Sequence, residues 1–140
     1  MAAIAVKPFV LRDCTLSIKD GATAVGDFEA HVSRVLFNPT TPIQTWRGLT
    51  PSAVFRDVGS TEWDATVDYA QDYETANSFA QYLIANPGKQ VTVEFTPKKG
   101  TSAKKVTATI TLIPGGIGGG VGEFATSSVT LPVTGQPALA

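Results

Sequence analysis

Residue types that do chemistry are sparse in this chain. Among 140 residues there is one imidazole, His31, and one thiol, Cys14. One His and one Cys cannot supply the four side-chain ligands of a usual zinc site, and a lone Cys cannot close an intrachain disulfide. His31 falls in a stretch with strand alternation, and no nucleophile elbow accompanies it, so a solvent-facing strand histidine is expected rather than a catalytic base. Asp64 and Asp68 could act as a carboxylate pair. Four strand residues, however, set their Cα atoms roughly 13 Å apart, beyond the spacing that glycosidases use. The run Gly115-Gly116-Ile117-Gly118-Gly119-Gly120-Val121-Gly122 could cradle a phosphate with crowded backbone N–H groups. It lacks the Gly-Lys-Ser/Thr of a P-loop and the spacing of a dinucleotide fingerprint, and it leads into a strand, which points to a wide connection between strands. Leu131-Pro132-Val133-Thr134-Gly135 matches a sortase recognition string, but Gln136-Pro137-Ala138-Leu139-Ala140 follows it in place of an apolar span and a basic tail. A strand that ends at a proline and turns at a glycine is expected there. Lys98, Lys99, Lys104 and Lys105 form a basic cluster without interleaved aromatics, which reads as a solvated hairpin tip. No catalytic residue, no metal ligand set and no cofactor site is expected.

The elements that position these residues follow from composition. The chain is 43% hydrophobic with a net charge of −1, which describes one domain with its own core and gives no electrostatic case for binding nucleic acid. No apolar run approaches the ~18 residues of a membrane helix, and the N-terminus does not read as a signal peptide, so no membrane anchoring is expected and the cytoplasm of the producing cell is the default compartment. The 14 Val, 18 Thr and 7 Ile favour pleated strands, and 13 Gly and 9 Pro cut the chain into short pieces. Alternation predicts strands over Val10–Ile18, closed by a Lys19-Asp20-Gly21 turn, and over Asp27–Phe37, where a parity break at Val35-Leu36-Phe37 suggests a bulge or a second buried surface. Further strands are predicted over Ala53–Asp57, Thr61–Tyr69, Val91–Thr96, Val106–Leu112 and Glu123–Val133. In Thr61–Tyr69 the residues Glu62, Asp64 and Asp68 share the polar face. Between Asn38 and Ser52 no period holds, and two Pro-containing strings bracket Trp46-Arg47. A long loop is expected over 38–52, and loops of that length are uncommon in compact domains unless they are functional or disordered. Ala76, Phe79, Ala80 and Leu83 have helical spacing, so one helix is expected over about 73–86, capped by Asp72 and stopped by Asn86-Pro87-Gly88.

Several of these features together resemble the major tail (tail tube) proteins of long-tailed bacteriophages. They are the Trp63 strand running into Tyr69-Ala70-Gln71-Asp72, the helix with Phe79 and Tyr82-Leu83, the Asn86-Pro87-Gly88 stop, two Thr-rich strands, the Gly-Gly turn, and the ending from Ser128 to Pro137. The resemblance implies a mainly β fold, a β-sandwich or partial barrel with one flanking helix, spanning residues 1–140 as a single domain. It further implies that six copies pair strands into a β-barrel ring and that rings stack into a hollow tube through which DNA is ejected. The partners implied are further copies of the chain together with tape-measure, tail-terminator and baseplate or tail-tip proteins. DNA would pass without specific binding, and the product would be a virion tail assembled in the host cytoplasm.

By the same resemblance, the 38–52 loop would reach a neighbouring protomer or ring through Trp46, Arg47 and Leu49. An arm over 132–140, starting at Pro132 and Val133, would add contacts, as would the N-terminal arm. Glu62, Asp64 and Asp68 would line the lumen, since a channel that neutralised phosphates would brake their passage, or would face bulk solvent outside, since alternation names two faces without saying which is inside. The alternatives are a β-sandwich binding module for carbohydrate or a surface, with Trp46 and Trp63 on an exposed face, and the tube protein of a contractile tail or type VI secretion apparatus.

Overall fold

In the main strand-forming segments apolar residues recur at every second position, as in Val91, Val93 and Phe95, and Thr, Ser or charged residues stand between them. A pleated strand sends these to opposite faces, so one face can dehydrate while the other stays wet. The structure is a computed structural model that describes residues 2–100 and 104–140. Its strands are β1 (Thr15–Asp20), β2 (Thr23–Asp27), β3 (Val32–Thr40), β4 (Ile43–Arg47), β5 (Val54–Val58), β6 (Glu62–Ala70), β7 (Gln90–Thr96), β8 (Val106–Thr111) and β9 (Thr126–Leu139), with one helix, α1 (Phe79–Ala85), between β6 and β7. Seven strands form one antiparallel sheet in the order β2-β1-β7-β8-β9-β6-β3, and β4 pairs with β5 apart from it.

The large sheet curls around its apolar face. Leu16 and Ile18 of β1, Ala65, Val67 and Tyr69 of β6, Val91 and Val93 of β7, Ile110 of β8 and Leu131 of β9 all turn inward and are buried. Strands β7 and β3 are four spacings apart in the hydrogen-bonded order, roughly 19 Å in a flat sheet. Their rings Phe95 and Phe37 nevertheless lie 6.5 Å apart between centroids, so the sheet bends back on itself. No ladder joins the two edge strands, and the barrel stays open. The chain spans the gap through residues 28–31, where the Phe28 N–H donates to the Leu16 carbonyl and the Ala70 N–H to the His31 carbonyl. Phe28 plugs the opening, 5.4 Å from the Phe79 ring and 6.2 Å from that of Tyr82. The fold is therefore mainly β with one helix, as expected. One curled sheet encloses the core, and two stacked layers do not, because both strands of the smaller sheet are exposed along their whole length.

Several expected boundaries move for identifiable reasons. Residues 10–14 are not strand; β1 begins at Thr15, where pairing with Thr96 of β7 begins. The expected strand over Asp27–Phe37 is two strands flanking the 28–31 link. Pairing is regular through Val35-Leu36-Phe37, and the bulge lies earlier, between Val32 and Arg34, which lets Val32, Val35 and Phe37 all face the core side opposite Tyr69, Val67 and Ala65.

The expected loop over 38–52 is mostly ladder. Strand β3 continues through Pro39 to Thr40, and β4 occupies Ile43–Arg47. Pro39 is tolerated because β3 is an edge strand with a partner on one side only. Across the Thr41-Pro42 interruption the pairing is carried by a Thr41–Thr61 hydroxyl bond of 2.7 Å and by the Gly59 N–H donating to the Pro42 carbonyl at 2.8 Å. A Cβ at Gly59 would lie 2.9 Å from Pro42 Cγ, so glycine permits this approach.

Helix α1 is shorter than 73–86 and is capped by Ser78, whose Oγ accepts from the Gln81 N–H. Asp72 caps its own turn by accepting from the N–H groups of Glu74 and Thr75, and Asn77 at φ 62° breaks any helical run before Ser78. The chain does not end its last strand near Val133. Strand β9 passes through Pro132 and exchanges β6 for β8 as partner at Val133, with a register shift against β8 between Thr134 and Ala138, a stretch that includes Gly135 at φ 77°. The expected free arm over 132–140 is thus part of the sheet, and Ala140 exchanges both backbone hydrogen bonds with Lys105. Of the expected Lys98–Lys105 hairpin tip, residues 101–103 lie outside the described residues.

Candidate functional site

The groups that could do chemistry do not converge. His31 is half-buried, with its ring edge-on to Phe28 at 5.9 Å. Cys14 donates its thiol to the Pro97 carbonyl at 3.1 Å. Among the described residues no three His, Cys, Asp or Glu side chains gather as metal ligands. A concavity of about 600 Å³ lies where Pro8, Phe9 and Val10 run beside Pro97, and the Lys99–Asp13 ion pair of 2.9 Å spans residues of its lining. Lys99 is held above the ordinary lysine range by its hydrogen bond to Asp13, which keeps it a cation rather than a base.

Exposed apolar surface is what the fold accumulates. All ten residues of β4 and β5 are exposed, so this hairpin leaves the large sheet as an arm with water on both faces. Cross-strand pairs assign its faces. Ile43 opposes Val58, Thr45 opposes Arg56 and Arg47 opposes Val54 on one face, while Trp46 opposes Phe55 on the other. The Trp46 and Phe55 rings pack at 5.9 Å but remain 62% and 64% exposed. An isolated two-stranded hairpin is marginal in water, and this one is extended from the β3–β6 ladder, which anchors its base.

Of the five predicted interaction residues, Trp46, Arg47 and Leu49 lie on the arm, with Leu49 at its exposed turn. Pro132 and Val133 lie in the large sheet opposite Asp64 and Trp63 of β6. Pro132 is exposed on the outer face and Val133 packs against the core, so the structure separates this pair from the arm residues. Trp63, half-buried in β6, does not share a platform with Trp46. Sequence reasoning missed Phe55, Ile43 and Val58. No period signalled them, because the apolar residues of β4, Ile43 and Trp46, fall on opposite faces of the arm, as do Phe55 and Val58 of β5.

Glu62, Asp64 and Asp68 share the outer face of the large sheet, the side opposite the core, with Glu62 fully exposed and the other two half-buried. Register places Thr66, Ser128 and Thr130 on the same face beside them, and Thr92, Thr107 and Thr109 farther along. Asp68 meets Arg34 of β3 at 4.0 Å, a contact too long and exposed to bind it firmly. Farther across the face Glu94 lies between Lys19 at 3.2 Å and Lys105 at 3.5 Å. The hydrogen bond from Lys19 holds the Glu94 carboxyl below the ordinary carboxylate range.

A second apolar surface lies at the other end of β6. The β8–β9 connection exposes Ile117, Val121 and Phe124 and is tied down by one side chain. Gln71 Nε2 donates to the Gly118 and Thr126 carbonyls and its Oε1 accepts from the Gly118 N–H, all at 2.8 Å. The amide thus substitutes for a strand's backbone, which no sequence period could signal. No protein-family model matches this chain, and no curated protein matches it.

Proposed function

We propose that the chain is a structural subunit that assembles with itself into stacked rings forming a hollow tube of the phage tail type, through which DNA passes without specific binding. The observation that carries this reading is the β4–β5 arm, a hairpin with every residue exposed that presents Trp46 and Phe55 to water. Contiguous apolar surface of this kind marks an interaction site. Burying the exposed parts of the two rings would remove on the order of 250 Å² from water, roughly 6 kcal/mol per copy before the cost of ordering. Two further features support the reading. The open edges β2 and β3 leave backbone groups that neighbouring copies can pair, and the Thr-rich outer face with Glu62, Asp64 and Asp68 suits a channel that does not hold phosphate. In this reading six copies close a ring, and tape-measure, tail-terminator and baseplate proteins would bound the tube's length and ends.

Negative-stain electron microscopy of the purified protein over a range of concentrations tests it. Hollow tubes with a regular axial repeat are expected, and Trp46→Ala should give a folded subunit with few or short tubes. Dispersed particles at every concentration, together with glycan binding, would replace this reading with that of a binding module.

A further inference from the structure

Five cations gather where the N-terminal segment lies beside the β7–β8 connection. Arg12, Lys98 and Lys99 line the concavity of about 600 Å³, Lys7 precedes its wall at Pro8, and Lys104 is on the same connection as Lys98 and Lys99. Two carboxylates stand against them. Asp13 is bonded by Lys99 at 2.9 Å, and Glu29 adds a weaker pull on the same lysine. Lys7, Arg12, Lys98 and Lys104 form no ion pair among the described residues. A chain with a net charge of −1 thus holds a local excess of positive charge, and a polyanion responds to that local excess rather than to the total.

Charge alone would make a solvated tip, and the sequence places no aromatic residue among these lysines. The fold supplies one from the N-terminal segment. Phe9 is 55% exposed on the wall of the concavity, flanked by Pro8 and Val10 and with Pro97 beside them, so a planar ring can stack there while phosphates reach Arg12 and Lys98. The concavity lies past the last β7–β8 pair, Phe95 with Val106, and away from Glu62, Asp64 and Asp68. It is separate from the face assigned to the lumen, and nothing in it rests on the tube reading. We propose that this concavity binds single-stranded nucleic acid, with one base stacked on Phe9 and the adjoining phosphates held by Arg12, Lys98 and Lys104. An unpaired strand fits because its bases are free to offer a face to the ring, and every base has such a face, so binding is independent of sequence. An acidic peptide would neutralise the same cations and leave the ring unused.

Fluorescence anisotropy of a labelled oligo-dT of roughly 12 nucleotides, titrated with the full-length protein at low salt, tests the site. Saturable binding is expected, with log affinity falling against log salt at a slope of about −2 for three neutralised phosphates. K98A/K104A should weaken binding about 10-fold and bring the slope to about −0.7. Phe9→Ala should weaken it about 10-fold with the slope unchanged, and Phe9→Trp should restore it. Arg47→Ala with Arg56→Ala, on the β4–β5 arm, should leave affinity and slope in place. Thermal melting of each variant checks that it is folded. Oligo-U run in parallel distinguishes RNA from DNA as the strand held, and tighter binding of either supports the site. Unchanged anisotropy at low salt, an equal loss from the arm variant, or full affinity in folded Phe9→Ala would overturn it. Inorganic polyphosphate that competes as well as oligo-dT, phosphate for phosphate, would overturn it too, since the ring would then contribute nothing.

Discussion

At Gly115 the absence of a side chain is a packing requirement. A Cβ there would overlap the Tyr69 hydroxyl and come within 3.0 Å of Ser127 Oγ, and Tyr69 cannot yield because its ring is buried 5.1 Å from that of Phe79. Gly115→Ala should therefore cost about 1–3 kcal/mol in urea unfolding, as overpacking does. Gly119→Ala, where a Cβ meets nothing within 4 Å, should leave the midpoint in place. Gln71 has a comparable role through hydrogen bonds. Gln71→Ala removes the three that hold the β8–β9 connection together with one from the Tyr73 hydroxyl, and the Gly118 amide is expected to lose its hydrogen-exchange protection while the global melt shifts by only about 1 kcal/mol. A Gly118 amide that exchanges equally in both proteins would show that other contacts hold the connection. Ser78 caps α1 from a buried position while donating to the Asp72 carbonyl, so Ser78→Ala should cost roughly 1–2 kcal/mol.

The elements differ in what their stability depends on. The arm contributes almost nothing to the core, so Trp46→Ala with Phe55→Ala should leave the subunit's thermal transition nearly unchanged, within about 0.5 kcal/mol, while removing assembly. A large drop in melting temperature would mean that the arm packs on its own subunit. The β1–β7–β8 region is different, because Lys19 and Lys105 converge on Glu94. Its folded pKa is depressed below 4.5, so the unfolded chain binds the proton more readily. The stabilisation is complete above the unfolded value and is lost as pH falls through the folded one. Glu94→Gln should accordingly be less stable than wild type at neutral pH, by under about 1 kcal/mol for so exposed a pair, and the two curves should converge below pH ~4. Parallel curves down to pH 3 would mean that the lysines do not hold the carboxylate.

For the whole molecule, the consequence of an open barrel with apolar projections at both ends is that the subunit buries more as part of an assembly than alone. Assembly should then be concentration-dependent, with the assembled fraction rising as the protein is concentrated. The outer face makes a separate prediction. If Glu62, Asp64 and Asp68 line a lumen, Asp64→Cys in a Cys14→Ser background should react with a small maleimide in tubes and in subunits alike. It should react with a bulky polymer maleimide only in dispersed subunits. Equal labelling of tubes by the bulky reagent would put this face on the outside.

Strand-forming segments were readable locally because a half-buried strand prints its two faces into the sequence at period two. Ala65, Val67 and Tyr69 against Glu62, Asp64 and Asp68 is such a print, and Val91, Val93 and Phe95 is another. The helix could be found from Phe79, Ala80 and Leu83, but its start could not, since Asp72 and Ser78 are both good caps and the choice depended on Asn77 adopting a left-handed φ. The arm was hidden for a related reason. Pro42 and Gly59 interrupt each strand locally, yet the backbone groups beside them are satisfied by a partner seventeen residues away, a fact available only once the strands have met. The same holds for Pro132, which ends a strand read in isolation but not one that changes partners beside it. Sequence alone determined which residues alternate and where the chain can turn, because these depend on side-chain branching and φ preferences of neighbouring residues. Tertiary structure alone decided that the sheet curls into an open barrel, which face became core at each bulge, and that a Pro-bracketed segment became an exposed hairpin. Those outcomes depend on pairings between distant strands and on burial, which no local period encodes.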